Sequence, residues 1–183
     1  MKIFENRLSI IFFLICIVLV SCNNRGDKDY APPASPGETI KSSVSYDRDI
    51  VLLRGIVKRE PGNLNAWVKL GNVLMDSKHF EEAISAYENA LKLDPGNVNV
   101  RVDVGTCYRR SGKPRRAVDE YNKAIRINPK HPYAHKNKGV VLAFDLHRND
   151  EAIREFETYL KLFPNAPDAL QVSGIINELK KNR

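Results

Sequence analysis

The sequence has few cysteines, and their positions exclude a disulfide framework. Of the three cysteines in the 183-residue chain, Cys16 and Cys22 belong to the apolar N-terminal segment, and only Cys107 lies in the remainder. A single thiol cannot form an intramolecular disulfide, so a domain after residue 22 depends on its hydrophobic core. A domain of about 140 residues buries roughly two-thirds of its unfolded surface, which is enough for such a core.

The sequence also lacks the residue sets that carry catalysis or metal binding. It offers no acid pair or catalytic triad in one place, and Gly112-Lys113 lacks the rest of a phosphate-binding loop. His131 and His135 are four residues apart but straddle Pro132, and no further ligand accompanies them. Cys107 has no histidine and acid beside it and is expected to be a core thiol. We therefore predict a protein that is not an enzyme and needs no metal ion or cofactor.

Positive charge is not concentrated enough to indicate nucleic-acid binding. The formal net charge is +7, from 29 Lys and Arg against 22 Asp and Glu. These charges are interspersed, whereas nucleic-acid binders carry dense basic patches or stripes. One basic cluster surrounds the second predicted hairpin turn and comprises Arg109, Arg110, Lys113, Arg115 and Arg116. An acidic protein, a phospholipid surface and a merely solvated loop are all compatible with this cluster.

The N-terminus has the pattern of an export signal. A basic start precedes an apolar run over residues 8–21, which is shorter than the roughly 20 residues of a membrane span. The sequence Leu19-Val20-Ser21-Cys22 resembles the lipobox of bacterial lipoproteins. This resemblance implies a signal peptide over 1–21 and a lipid anchor on Cys22, which becomes the first residue of the mature chain. An uncleaved signal anchor and an ordinary signal peptide are the alternatives.

The residues after Cys22 bear on location and on the start of the domain. Asn23 stands where an aspartate favours inner-membrane retention in this class of lipoprotein. In a Gram-negative cell envelope, the protein is therefore expected at the periplasmic face of the outer membrane. Residues 22–43 are rich in Pro, Gly, Ser and charge and are predicted to form a disordered tether, which leaves 44–183 for the folded domain.

Glycine and proline recur at a fixed spacing through the rest of the chain. Two series each repeat every 34 residues: Gly71, Gly105 and Gly139, and Pro61, Pro95 and Pro129. The next members of both series follow after 35 residues, at Pro164 and Gly174. This offset predicts one inserted residue in the loop over 145–150. A period of 34 residues is typical of tetratricopeptide repeats.

From about residue 46 onward, the chain closely resembles the tetratricopeptide-repeat family. The first repeat matches all eight family positions, with Trp67, Leu70, Gly71, Leu74, Ala83, Tyr87, Ala90 and Pro95. The later repeats depart at the first of these positions, which holds Arg101 and His135, and the third also departs at Lys138 and Tyr159. We therefore expect the third repeat to pack less tightly. The resemblance implies an all-α, right-handed α-solenoid with hairpins over 64–97, 98–131 and 132–166.

Apolar residues at helical spacing extend the array at both ends. Ile50, Leu53 and Ile56 predict a leading half-repeat helix over 46–59, with Ser45 as its cap. A capping helix is expected over about 167–181, because Pro167 suits a helix start and Leu170 and Gly174 fall on repeat positions. Gly112 and Asn149 are expected to supply the turns inside the second and third hairpins. The prediction is eight helices in total.

In this family the first helices of the hairpins line a concave groove that binds a partner. The matching positions here predict a partner site formed by Asn65, Val68, Asn72, Asn99, Val102, Thr106, Arg109, Tyr133, Lys136, Val140 and Phe144, with Met75, Asp76, Arg110 and Ala143 on the same face. The groove is thus expected to be amide-rich at one end, basic in the middle and apolar-aromatic at the other. Members that dock chaperones clamp a terminal carboxylate. Only Asn72 matches that clamp and Asp103 would repel a carboxylate, so no clamp is expected.

These patterns together predict a membrane-anchored scaffold that binds a protein or peptide partner in the groove, during assembly of an envelope complex. The alternative is a structural lipoprotein that homo-oligomerises through a poorly capped end and has no peptide-binding role. Nucleic acid is not an expected partner, because the chain carries an export signal. The resemblance is to the repeat and does not identify the partner or the pathway.

Overall fold

The computed structural model describes residues 36–181, with side chains from residue 45 onward. The predicted signal peptide and the lipidation site Cys22 lie outside these residues. The described part is all-helical, with α1 (Pro36–Arg59), α2 (Leu64–Asp76), α3 (Phe80–Leu93), α4 (Val98–Arg110), α5 (Pro114–Ile127), α6 (Pro132–Val140, continued by a π-helical turn Val141–Asp145), α7 (Asn149–Leu162) and α8 (Ala169–Lys181). The prediction of an all-α solenoid with eight helices is confirmed for these residues.

The first helix of each hairpin begins at the first residue of a predicted repeat. The side chains of Asn63 and Asn97 accept hydrogen bonds from the backbone N–H groups three residues on, at 3.0 and 3.2 Å. His131 does the same through Nδ1, at 3.2 Å from the N–H of Ala134. Each cap satisfies a backbone donor that has no partner within the helix, and this fixes where α2, α4 and α6 begin.

The extra residue of the third repeat lies inside a helix and not in the 145–150 loop, so that prediction is wrong. α6 ends in a π-helical turn in which the N–H of Leu146 bonds to the carbonyl oxygen of Val141, five residues back. A π turn holds one residue more than an α turn. The connection to α7 therefore keeps the same three-residue length as the turns before α3 and α5.

These three connections share a middle residue in the left-handed region. Lys78, Gly112 and His147 have φ of 66°, 74° and 54°. Gly112 is a turn residue as predicted, whereas Asn149 is the first residue of α7 and His147 takes the turn position instead. The sequence prediction missed His147 because left-handed backbone is uncommon for residues other than glycine.

The core of each hairpin is a contact between a glycine and an aromatic ring. A Cβ atom added to Gly71, Gly105 or Gly139 would lie 2.4, 2.5 or 2.8 Å from the Cε1 atom of Tyr87, Tyr121 or Phe156. The three aromatic side chains are 0%, 1% and 0% exposed. The glycines therefore let the two helices approach until the ring lies directly on backbone, and no larger residue fits there.

Where the second and third repeats lack the tryptophan of the first, a second residue of the same hairpin has also changed. Trp67 donates to the carbonyl oxygen of the proline six residues earlier, at 2.9 Å, and the side chains of Arg101 and His135 contact the equivalent oxygens at 3.1 and 3.0 Å. Arg101 and His135 also pair with Glu120 and Glu155, at 3.1 and 2.6 Å. The matching position of the first repeat holds the neutral Ala86. A polar residue and a glutamate thus replace tryptophan and alanine as a matched pair.

The third repeat is packed as fully as the others, contrary to the expectation of looser packing. Tyr159 is 1% exposed and Leu142 and Ala152 are 0% exposed. Lys138 forms an ion pair with Glu155 at 2.6 Å. The unusual residues therefore have partners of their own, and their presence does not loosen the hairpin.

The ends of the array differ from the prediction in their boundaries. α1 begins at Pro36, ten residues before the predicted start at residue 46, and Ser45 lies inside the helix. Proline is tolerated in a first helical turn, and no proline or glycine lies between Gly37 and Gly55 to end the helix. At the other end Pro167 lies in a turn and α8 begins at Ala169. Its buried residues are Val172 and Ile176, whereas Leu170 is 91% exposed.

The glycine–ring contact can be tested with one matched pair of variants. Gly105→Ala is expected to lower the free energy of unfolding by about 1–3 kcal/mol, because the new methyl group overlaps the Tyr121 ring. Gly174 is also helical but has nothing within 4 Å of its added Cβ. Gly174→Ala is therefore expected to raise stability by about 0.5–1 kcal/mol. Urea unfolding followed by circular dichroism measures both, and equal stability of the two variants would contradict the close contact.

Candidate functional site

The helices α2, α4 and α6 carry the predicted partner site, and we call their exposed and half-buried predicted residues the groove wall. Five of these residues are exposed, namely Asn65, Asn72, Asn99, Tyr133 and Phe144, and five are half-buried, namely Val68, Thr106, Arg109, Lys136 and Val140. Val102 is 6% exposed and belongs to the core, so its assignment to the site is wrong. The sequence pattern missed this because Val102 lies at the edge of the helix face and packs inward.

Two asparagines of the groove wall have side-chain oxygens that are engaged in hydrogen bonds within the protein. The hydroxyl of Tyr87 donates to Oδ1 of Asn72 at 2.7 Å. Nε2 of His131 lies 2.9 Å from Oδ1 of Asn99. Because Nδ1 of His131 accepts a backbone hydrogen bond, its Nε2 carries the proton and donates to Asn99. Within the described residues neither amide nitrogen donates a hydrogen bond, so the N–H groups of both side chains can donate to backbone carbonyls of a partner.

The polarity of the residue after each packing glycine corresponds to whether the ring on that glycine carries a hydroxyl group. Asn72 accepts from the Tyr87 hydroxyl, and Oγ1 of Thr106 lies 3.2 Å from the Tyr121 hydroxyl. Val140 occupies the same position where the ring is that of Phe156, which has no hydroxyl. These groove-wall positions are therefore partly set by the core, because a buried hydroxyl needs a partner.

The middle of the groove wall is not basic, contrary to the prediction. Nε of Arg109 lies 2.5 Å from Oδ2 of Asp145, which the π-helical turn carries. Arg110 turns aside and lies over the ring of Phe80, 5.8 Å from its centroid. In the next repeat Lys136 forms an ion pair with Asp168. The cations of α4 and α6 are thus held by partners of their own, which the linear sequence did not reveal.

An unpaired carboxylate stands where the basic residues were expected. Asp103 is half-buried on α4, and within the described residues its carboxylate forms no hydrogen bond or ion pair. Burial, and then the nearby negative charge of Asp76, raise the pKa of Asp103 to about 6. Desolvation and a like charge both disfavour the ionised form. This part of the groove wall therefore favours a positive group.

The last part of the groove wall is aromatic. Tyr133 is 48% exposed, and its ring centroid lies 6.3 Å from those of both Tyr159 and Phe163. Phe144, at the π-helical turn, is 51% exposed. Rings at such distances support one another in tilted or edge-to-face arrangements. The exposed Tyr133 therefore sits on a rigid base and offers an apolar surface to a partner.

The remaining chemistry-bearing residues are built into the fold. Cys107 is 0% exposed, and burial raises the pKa of its thiol to about 12, so it is not a nucleophile at neutral pH. The described residues contain no group of three or more His, Cys, Asp or Glu placed to hold a metal ion. Among the same residues, no helix is both long and apolar enough to span a membrane. In the basic cluster, Lys113 pairs with Glu81 and Arg116 lies over Tyr108.

This geometry agrees with a known protein family. The model of the cytochrome c-type biogenesis protein H tetratricopeptide domain matches residues 48–169, well over half of the chain. The chain belongs to the tetratricopeptide-repeat family. No curated protein sequence matches it.

Solved structures of other tetratricopeptide proteins share the fold. The structure of MamA has a TM-score of 0.65 and 22% identity, over 80% of this chain and 90% of that one. The first tetratricopeptide domain of RPAP3, bound to an HSP90 peptide, has a TM-score of 0.60 and 23% identity, over 65% and 91%. The Yersinia enterocolitica chaperone SycD, bound to a peptide of YopD, has a TM-score of 0.61 and 19% identity, over 65% and 93%. At these identities the likeness is one of fold.

The unpaired acid has a consequence for stability that depends on pH. The pKa of Asp103 rises from its ordinary 3.8 to about 6 on folding, so the folded state holds this proton more tightly. Stability therefore falls as pH rises from about 4 through 6, and the ionised carboxylate destabilises the neutral-pH fold. Asp103→Asn is expected to gain about 1–2 kcal/mol at pH 7.5, after allowance for partial exposure, and almost nothing at pH 4.

Urea unfolding at the two pH values measures this gain. Asp119→Asn is the matched control, because it makes the same substitution at an exposed position of α5. The control is expected to change stability by less than about 0.5 kcal/mol at either pH. A gain for Asp103→Asn that is the same at both pH values would contradict the charge argument.

Proposed function

We propose that the protein is a membrane-anchored scaffold that binds an extended segment of a partner protein along the groove wall. The observation that carries the proposal is the pair of exposed asparagines, Asn72 and Asn99, whose side-chain oxygens are hydrogen-bonded to Tyr87 and His131. The N–H groups of these amides suit the backbone carbonyls of an extended chain. The exposed rings of Tyr133 and Phe144 supply apolar contact for its side chains.

The solved relatives support a peptide as the kind of partner. RPAP3 is seen with an HSP90 peptide that ends in an aspartate, and SycD with a peptide of the translocator YopD. This chain differs from an acid-binding groove, because Arg109 and Lys136 are paired and Asp103 is not. We therefore propose peptide binding without a carboxylate clamp.

The membrane attachment in this proposal rests on the lipobox at Leu19–Cys22. Lipidation at Cys22 would place the repeats in the cell envelope, at the periplasmic face of the outer membrane in a Gram-negative cell. A scaffold held at a membrane concentrates its partner there, which suits the assembly of an envelope complex.

Homo-oligomerisation is the second candidate function. It is favoured by the terminal helix α8, where Leu170 is 91% exposed and Gly174 has no ring against it. In the three hairpins the space against the equivalent glycine is filled by the ring of Tyr87, Tyr121 or Phe156. An exposed leucine beside an unfilled glycine is a surface that another helix could cover.

Crosslinking in intact cells, followed by isolation from membranes, tests the groove. The double variant Asn72→Arg, Tyr133→Ala is expected to lower the yield of the crosslinked partner at least tenfold, because it removes one amide donor and the exposed ring. Asn177→Arg, at an exposed position of α8, is the control and is expected to keep the yield. An unchanged yield in the double variant would reject the groove. A product made only of this chain, lost in Leu170→Glu, would establish homo-oligomerisation instead.

Cell fractionation tests the anchor. Cys22→Ala is expected to abolish lipidation, because serine or alanine cannot supply the thiolate that accepts the lipid. Cys16→Ala changes the other N-terminal cysteine and is expected to leave lipidation and membrane attachment intact. Metabolic labelling with a radioactive fatty acid measures the lipid directly. Label retained on the Cys22→Ala protein would show that the anchor is elsewhere.

A further inference from the structure

The ion pairs along the groove wall determine which sign of charge remains available to a partner. Arg109 is neutralised by Asp145 and Lys136 by Asp168, and Arg110 lies over Phe80. Each of these cations already has an intramolecular partner. A partner segment therefore gains little from an acidic side chain placed on α4 or α6.

Two acids of the first and second repeats, Asp76 and Asp103, have no such neutralisation within the described residues. Asp76 ends α2 and Asp103 lies in the middle of α4, and the charge of Asp76 raises the pKa of Asp103. Lys69 is at the position of α2 that matches Asp103, but it lines a cavity with Asp49 and Leu53 of α1. Asp103 acts on the buried Tyr87, Cys107 and Tyr121, and the cations Arg110 and Arg109 act on Cys107 and Tyr121. Neither arginine lowers the pKa of Asp103, and both have the partners named above. A cation from outside would relieve the repulsion between Asp76 and Asp103.

The aromatic part of the groove wall lies one helix further along. α4 and α6 contact each other directly, and packed helices have axes about 8–10 Å apart. A segment in the polyproline II conformation advances about 3.1 Å per residue and, with three residues per turn, returns a side chain to the same face every third residue. A segment that crosses both helices therefore places side chains on Asp103 and on Tyr133 about three residues apart.

We infer that the groove wall selects a partner segment with a lysine or arginine that pairs with Asp103 and Asp76, and with an apolar or aromatic side chain about three residues away that packs on Tyr133. This inference rests on the proposed function, because it assumes that a segment lies across α4 and α6. It adds the chemical class of the partner. The pairing of one cation with two carboxylates supplies charge-assisted hydrogen bonds, and the supported ring of Tyr133 supplies apolar contact.

Three degenerate nonapeptide libraries test the inference on the full chain in a non-ionic detergent. All contain a fixed phenylalanine, three residues before or after a second fixed position that holds lysine, alanine or glutamate. Fluorescence anisotropy is expected to show the lysine library binding about tenfold more tightly than the alanine library, and the glutamate library binding most weakly. Asp103→Asn is expected to reduce the lysine preference to about twofold, and Asp103→Lys to shift it toward glutamate. Asp119→Asn, the matched charge change on α5, is expected to keep it.

The outcomes separate this inference from the proposed function. Equal binding of the three libraries, or a lysine preference that survives in Asp103→Asn, would overturn the inference and leave a groove that binds peptides. Absence of binding by every library, together with unchanged crosslinking in the Asn72→Arg, Tyr133→Ala variant, would overturn the proposed function and the inference with it.

Discussion

The fold depends on how closely a glycine in the first helix of each hairpin lets an aromatic ring of the second helix approach. Tyr87, Tyr121 and Phe156 lie where a side chain on Gly71, Gly105 or Gly139 would have to be. Such a contact sets the distance between the two helices to within a few tenths of an ångström, because packed interiors do not deform freely. The same contact recurs in each hairpin, so it also sets how α2, α4 and α6 stand beside one another and what they present to a partner.

The parts of the fold that repeat were predictable from the sequence, and the parts that adapt to one repeat were not. The spacing of the glycines and prolines predicted three hairpins because the same close contact must recur in every repeat. It showed that one residue is inserted in the third repeat, but the π-helical turn over Val141–Asp145 was not predicted. A count of residues cannot distinguish a longer loop from a wider helical turn, since both restore the register of α7. The start of α1 at Pro36 was missed because composition alone suggested disorder.

The candidate site was predictable as a set of positions but not as a pattern of charge. Face assignment by repeat position placed Asn72, Asn99 and Tyr133 on an exposed surface. It could not show that Arg109 would meet Asp145, which is 36 residues away in sequence. That pair depends on the π-helical turn that carries Asp145, so the wrong location of the insertion and the missed charge pattern have one cause. The charge of a groove is a property of pairs, and pairs between repeats become visible only when the helices are in place.

The charge of Asp103 lowers stability but is available for binding, whereas the charge of Arg101 serves the fold. Arg101 is half-buried, pairs with Glu120 and contacts the carbonyl oxygen of Pro95, so its guanidinium acts mainly inside the fold. Asp103, two residues later on the same helix, has no such contact, and its ionised form weakens the isolated protein. A cation that lowers the pKa of Asp103 toward its ordinary value recovers that free energy on binding, by linkage. The charge on α4 that most destabilises the isolated protein is therefore the one that can contribute most to recognition. The paired charges beside it contribute mainly to the fold.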